Sequence, residues 1–147
     1  RASQDVAKFM RVGGFGYYGK ELPDTVDNEM FMAGADMTLG NDKIELNAQY
    51  VYRSDTNPEM LAVKPGERVI TQGGFAEVII SPQGDNSRWI GTLLYNIVDS
   101  DLPALDYKSY TAGLNYLLAR NLRIAGEYTY IQNTKTSKVS LGIISAF

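Results

Sequence analysis

The stretch KIELNAQYVYR puts Ile44, Leu46, Ala48, Tyr50 and Tyr52 on one parity. Lys43, Glu45, Asn47, Gln49 and Arg53 take the other, and Val51 is the one exception. A period of two is a β-strand with one apolar and one polar face. Its length also suits the roughly 9–11 residues that a tilted strand needs to cross a bilayer. The pattern recurs in LRIAGEYTYI, where Leu122, Ile124, Gly126, Tyr128 and Tyr130 oppose Arg123, Ala125, Glu127 and Thr129. In YKSYTAGLNYL, Tyr110, Ala112, Leu114 and Tyr116 oppose Ser109, Thr111, Gly113 and Asn115. MFMAGADMTL sets Phe31, Ala33, Ala35, Met37 and Leu39 against Asp36 and Thr38. TQGGFAEVII and WIGTLLYNIV are apolar on parts of both faces, and the glycines of AKFMRVGGFGYY leave its facing open. The final KVSLGIISAF alternates to its last residue, which makes about eight strands in all.

Between the strands, GND (40–42) and LARN (118–121) are short and PQGDNS (82–87) is intermediate. KELPDTVDNE, SDTNPEMLAVKPGE, DSDLPALD and QNTKTSK are longer and polar. All five prolines fall in these connections, where a missing N–H harms no ladder. No stretch has helical periodicity, so the fold class is all-β, an antiparallel up-and-down arrangement in a single unit spanning 1–147.

Composition narrows the chemistry. The 147 residues contain no cysteine and no histidine, and the formal charge is −3. Thiol chemistry, the usual general base and the commonest metal ligand are therefore absent. This is not the composition of an enzyme, and no cofactor is expected. The mildly acidic balance offers no footprint for nucleic acid. No apolar run is long enough for a transmembrane helix. The chain opens RASQDV without a methionine, so some loss at this end is expected.

Alternation alone also describes a soluble sandwich or a lipocalin-like carrier, the latter with the facing reversed. Three features favour a membrane barrel. Short and long connections alternate, as periplasmic turns and outer loops do. Tyr50, Tyr52, Tyr95, Tyr110, Tyr128 and Tyr130 all lie toward the long connections, as one lipid-facing aromatic girdle would. Counting back from a periplasmic C-terminus also puts every short turn in the periplasm. The segment GLNYLLARNLRIAGEYTY and the closing strand then resemble the C-terminal hairpins of bacterial outer-membrane porins. QGGFAEVIISPQGDNSRWIGTLLYNIVD resembles a strand and hairpin of the phosphate-selective porin type and its relatives. The resemblance runs from Gln72 to Phe147. It implies integral localisation in the bacterial outer membrane, outer-membrane lipid and lipopolysaccharide as partners, and a possible homotrimer or larger membrane assembly. It also implies an assembly signal of Leu141, Ile143, Ser145 and Phe147 read by the barrel-assembly machinery.

An open strand edge cannot face hydrocarbon, because each unpaired backbone group costs several kcal/mol there. Eight strands could close alone around a filled interior, whereas about 16 leave a water channel. The resemblance implies the wider barrel, of which this segment is the C-terminal portion. The expected function is passive diffusion of small hydrophilic solutes or ions. A non-conducting barrel that binds a partner through its outer loops is the alternative. The polar parity supplies the candidate pore lining: Arg11, Asp36, Lys43, Glu45, Asn47, Gln49, Arg53, Glu77, Arg88, Asn96, Asn115, Arg123 and Glu127. Their signs are nearly balanced, so phosphate selectivity does not carry over.

Lys108 departs from the pattern, with the lipid-facing parity at the outer end of its strand. It is either a lysine reaching for water or a contact for lipopolysaccharide phosphate. The doubly apolar stretches 78–80 and 90–94 fit either a subunit interface or the footing of an inward-folded loop. Asp101 and Asp106 lack the spacing of a calcium loop, and RVGGFGYYG lacks the strand-to-helix context of a phosphate loop.

Overall fold

The computed structural model describes residues 1–21, 28–58 and 67–145. They form nine strands: β1 (Ala2–Ala7), β2 (Met10–Glu21), β3 (Asn28–Gly40), β4 (Ile44–Asp55), β5 (Val69–Ile80), β6 (Trp89–Ser100), β7 (Tyr107–Ala119), β8 (Leu122–Ile131) and β9 (Thr136–Ser145). Every strand pairs antiparallel with its neighbours in sequence, in one sheet ordered β1 to β9. No α-helix occurs among the described residues. Two short 3-10 turns, Gly84–Asn86 and Pro103–Leu105, lie in connections.

The all-β meander expected from the alternation is present, with nine strands in place of about eight. The difference lies at the start. AKFMRVGGFGYY crosses a turn at Lys8 and Phe9, and the residues before it form β1. That turn has no Gly, Pro, Asn or Asp, the residues that ordinarily announce a hairpin. A register shift between Asp5 and Ala7 accommodates it. At the other end, the sequence pattern predicts a long connection over QNTKTSK. Only residues 132–135 turn, with Lys135 at φ 53. Thr136, Ser137 and Lys138 already pair with Ile131, Tyr130 and Thr129. The contrast between the two ends is therefore weaker than the sequence suggested, since 81–88 at the short-turn end exceeds 132–135 at the other.

Val69, 4 % exposed, is the one buried apolar residue among the described residues. A soluble domain of this size folds two layers over a core. Here one layer stands alone, and its order has no sheet packed against it. Strands of 12 or 13 residues (β2 to β7) measure roughly 40 Å at about 3.4 Å per residue. Among the described residues, the two edges, β1 and β9, pair only on their inner sides and do not meet each other.

Close contacts between neighbouring strands are set by glycine. A Cβ at Gly34 would lie 2.5 Å from Phe15 Cε1 and 2.8 Å from the Tyr50 carbonyl oxygen. The Phe15 ring thus lies over Gly34 of β3. We expect Gly34→Val to cost about 1–3 kcal/mol through overpacking, since the Tyr50 backbone cannot step aside. Urea titration of the folded protein measures it, and an unchanged midpoint would contradict the packing.

Candidate functional site

The ladder decides which side chains share a face, because directly paired residues point the same way. Arg11 pairs with Thr38, Thr38 with Asn47, and Asn47 with Glu77. Asp36 pairs with Gln49, Gly40 with Glu45, and Arg53 with Thr71. Farther along, Asn96 pairs with Ser109, Asn115 with Ala125 and Glu127 with Ser140, while Arg123 lies beside Leu117. All strand-borne residues of the expected pore lining therefore stand on one polar-parity face. Lys43 and Arg88 sit just outside β4 and β6, at the end of the short turns.

Hydrogen bonds knit this face laterally. Thr38 Oγ1 donates to Asn47 Oδ1 at 2.9 Å, and Asn47 Nδ2 donates to Glu45 Oε1 at 2.8 Å. The same amide lies 3.5 Å from Glu77 Oε2. Thr111 and Thr129 share a bond at 2.9 Å, and Asn96 donates to Ser109 at 3.3 Å. Arg11 pairs with Asp5 at 2.6 Å, Arg53 with Asp55 at 2.6 Å and Arg1 with Asp36 at 3.3 Å. The neutralising partners Asp5, Asp55 and Arg1 were not singled out in the sequence. Glu45, Glu77, Arg88 and Arg123 form no ion pair among the described residues. The unpaired carboxylates Glu45 and Glu77 thus lie on the neighbouring strands β4 and β5, while Arg88 and Arg123 flank Leu117.

The face is not wholly polar. Phe15, Met30, Met32, Val51, Phe75 and Leu94 share it. Such residues broke the alternation in β5 and β6, and they made β2 unreadable.

The opposite face is apolar and exposed. Leu93 is 55 % exposed and Leu114 52 %, with nothing covering them. The six girdle tyrosines all lie here. Two more aromatic residues near the long connections join them, Tyr18 and Phe31, paired with each other. The aromatic band runs obliquely to the ladder. Tyr18 and Phe31 lie in one row, Tyr52 in the next with Ala33, and Tyr50 in the third with Ala35. Tyr95, Tyr110 and Tyr130 share the fourth with Met37, and Tyr128 lies in the fifth. Three rows are about 20 Å along the strands, and the five strand spacings crossed are about 24 Å, so the slant is about 40°.

Tyr50 donates its hydroxyl to Gln72 at 2.7 Å, and the Tyr128 hydroxyl meets Ser137 at 2.9 Å. Both partners lie one row nearer the long connections. The rings thus keep their bodies on the apolar band and their polar tips at its edge. A second aromatic pair, Trp89 on Tyr116 with centroids 4.2 Å apart, occupies the other end of this face. The sequence showed both residues without showing that they meet.

Leu141, Ile143 and Ser145 share this face on the edge strand, with Leu141 83 % exposed. Phe147 lies outside the described residues. Asp101 accepts the Ile70 N–H at 2.7 Å and Asp106 the Ser100 N–H at 2.9 Å, so both carboxylates brace the 101–106 connection. RVGGFGYYG lies wholly in strand β2.

No family model, curated protein or solved structure matches the chain.

Proposed function

We propose that this sheet is part of the wall of an outer-membrane β-barrel, whose polar-parity face lines a water-filled channel for passive diffusion of small hydrophilic solutes or ions. One observation carries the reading. On β3, β4, β7 and β8 most apolar side chains share a single uncovered face and most polar groups share the other. In water, that much bare apolar surface would be a liability. Against acyl chains it is the required surface.

The slant of the aromatic band supports the same reading. If the tyrosines mark one membrane interface, strands crossing that band at about 40° from its perpendicular have the tilt of roughly 35–45° typical of such barrels. A 12-residue strand then gains about 30 Å of height, enough for the hydrocarbon core.

In hydrocarbon β1 and β9 must each be paired. Both are odd-numbered in a strictly alternating series, so they run in the same direction. Antiparallel closure therefore requires an odd number of further strands, which favours a larger barrel over closure of this segment on itself. Its C-terminal strand would engage the barrel-assembly machinery, and the short turns would lie in the periplasm.

Planar-bilayer recording of the native full-length protein tests the proposal. Stepwise openings with ohmic conductance are expected. Insertion without openings would overturn the channel and leave a non-conducting barrel that binds through its outer connections.

A further inference from the structure

The turns that join β1 to β2 and β3 to β4 bound a polar cleft of about 710 Å³ at the short-turn end of the polar face. That volume lies within the range of about 300–1,000 Å³ typical of ligand sites. Its floor is β3, which contributes only Thr38 and Gly40. Thr38 pairs with Arg11 on one side, and Gly40 pairs with Glu45 on the other. Small residues on the middle strand thus leave a gap between an arginine and a glutamate.

Each side of the gap has its own net sign. The β1–β2 side carries Lys8 and Arg11 against Asp5, and the β3–β4 side carries Asp42 and Glu45. Lys43 does not line the cleft, and counting it still leaves the second side negative. Beyond the cleft on this face, Glu77 adds to the negative side next to Asn47, and Asp36 is paired with Arg1 at 3.3 Å. Asp5 accepts from Arg11 Nε at 2.6 Å and from Nη2 at 3.4 Å. A guanidinium has five N–H donors, so three remain for a second carboxylate. Lys8 and Asp42 have no ion-pair partner among the described residues, and Glu45 accepts from the neutral Asn47 amide at 2.8 Å.

The two turns are fixed to each other, since the Gly40 N–H donates to the Phe9 carbonyl at 2.9 Å. Asn41 Oδ1 accepts the Lys43 and Ile44 N–H groups at 2.9 and 3.1 Å, which sets the turn that carries Asp42. Phe9, 63 % exposed, adds an apolar ring to the lining. Two strand spacings and one row separate the Arg11 and Glu45 backbones, about 12 Å in all. An extended chain gains about 3.3–3.6 Å per residue, so two or three residues put roughly 7–11 Å between their charged ends. That is the reach left once the flanking side chains close on a ligand, and a single amino acid falls short of it.

We propose that this cleft binds short peptides with free ends, the C-terminal carboxylate on Arg11 and Lys8 and the N-terminal ammonium on Asp42 and Glu45. The proposal deepens the channel reading above by naming a solute class, and it rests on that reading for the cleft's part in passage. A merely solvated rim would mix its charges along both turns. Here the signs are divided across a strand of small residues, on turns that brace each other.

The test titrates trialanine into the native full-length protein in detergent, followed by calorimetry. Saturable binding is expected, at least ten-fold weaker for trialanine with an acetylated N-terminus and an amidated C-terminus. Arg11→Gln and Asp42→Asn are each expected to weaken trialanine binding at least five-fold, with the gel mobility of the folded protein unchanged. The capped peptide decides the matter if a variant does not fold. Equal binding of the capped peptide, or wild-type affinity in either variant, would overturn the proposal. Alanine bound as tightly as trialanine would overturn it too, by removing the peptide spacing. Should the protein conduct in planar bilayers but bind no trialanine, this site fails alone. Should it bind trialanine as expected and open no channel, the site stands and the channel reading fails.

Discussion

Leu114→Arg is expected to destabilise the folded protein in lipid by about 2–4 kcal/mol, while the neighbouring Asn115→Arg stays within about 0.5 kcal/mol. Leu114 is 52 % exposed, and its paired neighbours on either side are Gly91 and Gly126. It therefore has little packing to lose. In water, an arginine there would be nearly free of cost, because a half-exposed leucine contributes little burial. In hydrocarbon, the same guanidinium must be stripped of water or drag water with it. Leu114 also sits near the middle of its own strand, two rows from Tyr110 and one row from Tyr116 on the same face. Asn115 points to the other face, where an added charge stays hydrated. Folding into vesicles across a urea series, read by gel mobility, measures both. Equal stability of the two variants would deny that the apolar face meets acyl chains, and a larger loss at Asn115 would reverse the facing.

The alternation read from sequence rests on one steric fact: successive side chains of a strand leave opposite sides of the backbone. That is why strands β3, β4, β7 and β8 and both of their faces are legible in the sequence. Register was less accessible. Nothing in the isolated strands says that Tyr52 and Tyr110 lie in different rows, so the oblique course of the aromatic band emerges only from pairing. Tyr18 was missed because β2 alternates glycine with aromatics. Phe15 and Tyr17 sit on the polar face and Tyr18 on the other, so no parity is cleaner than its opposite. The ion pairs of Arg1 and Arg11 were invisible because they depend on β1, which no turn residue announces.

The apolar members of the polar face have a physical account too. Phe15 lies over Gly34, and a Cβ at Gly13 would come within 2.6 Å of the Asp36 carboxylate. Both side chains lie across glycines of the neighbouring strand.

Glu45→Lys with Glu77→Lys is expected to move the reversal potential toward anion preference in a salt gradient. Asn47 bridges these two carboxylates, and no cation neutralises either among the described residues. They are the strongest uncompensated acidic feature of the polar face. A unit charge acts on an ion about 4 Å away in water with about 1 kcal/mol, roughly a five-fold change in local population. Reversing two charges should therefore lower the cation-to-anion permeability ratio by roughly an order of magnitude at low salt. The effect should fade toward 1 M, where the screening length falls to about 3 Å. Asp99→Lys is the matched control: it lies on the apolar-parity face, paired with Gln72, and should leave the ratio unchanged. The wild-type ratio is read first, so that each variant is compared with a measured baseline. If the control shifts selectivity as much as the glutamate pair does, the polar face does not line the conducting path.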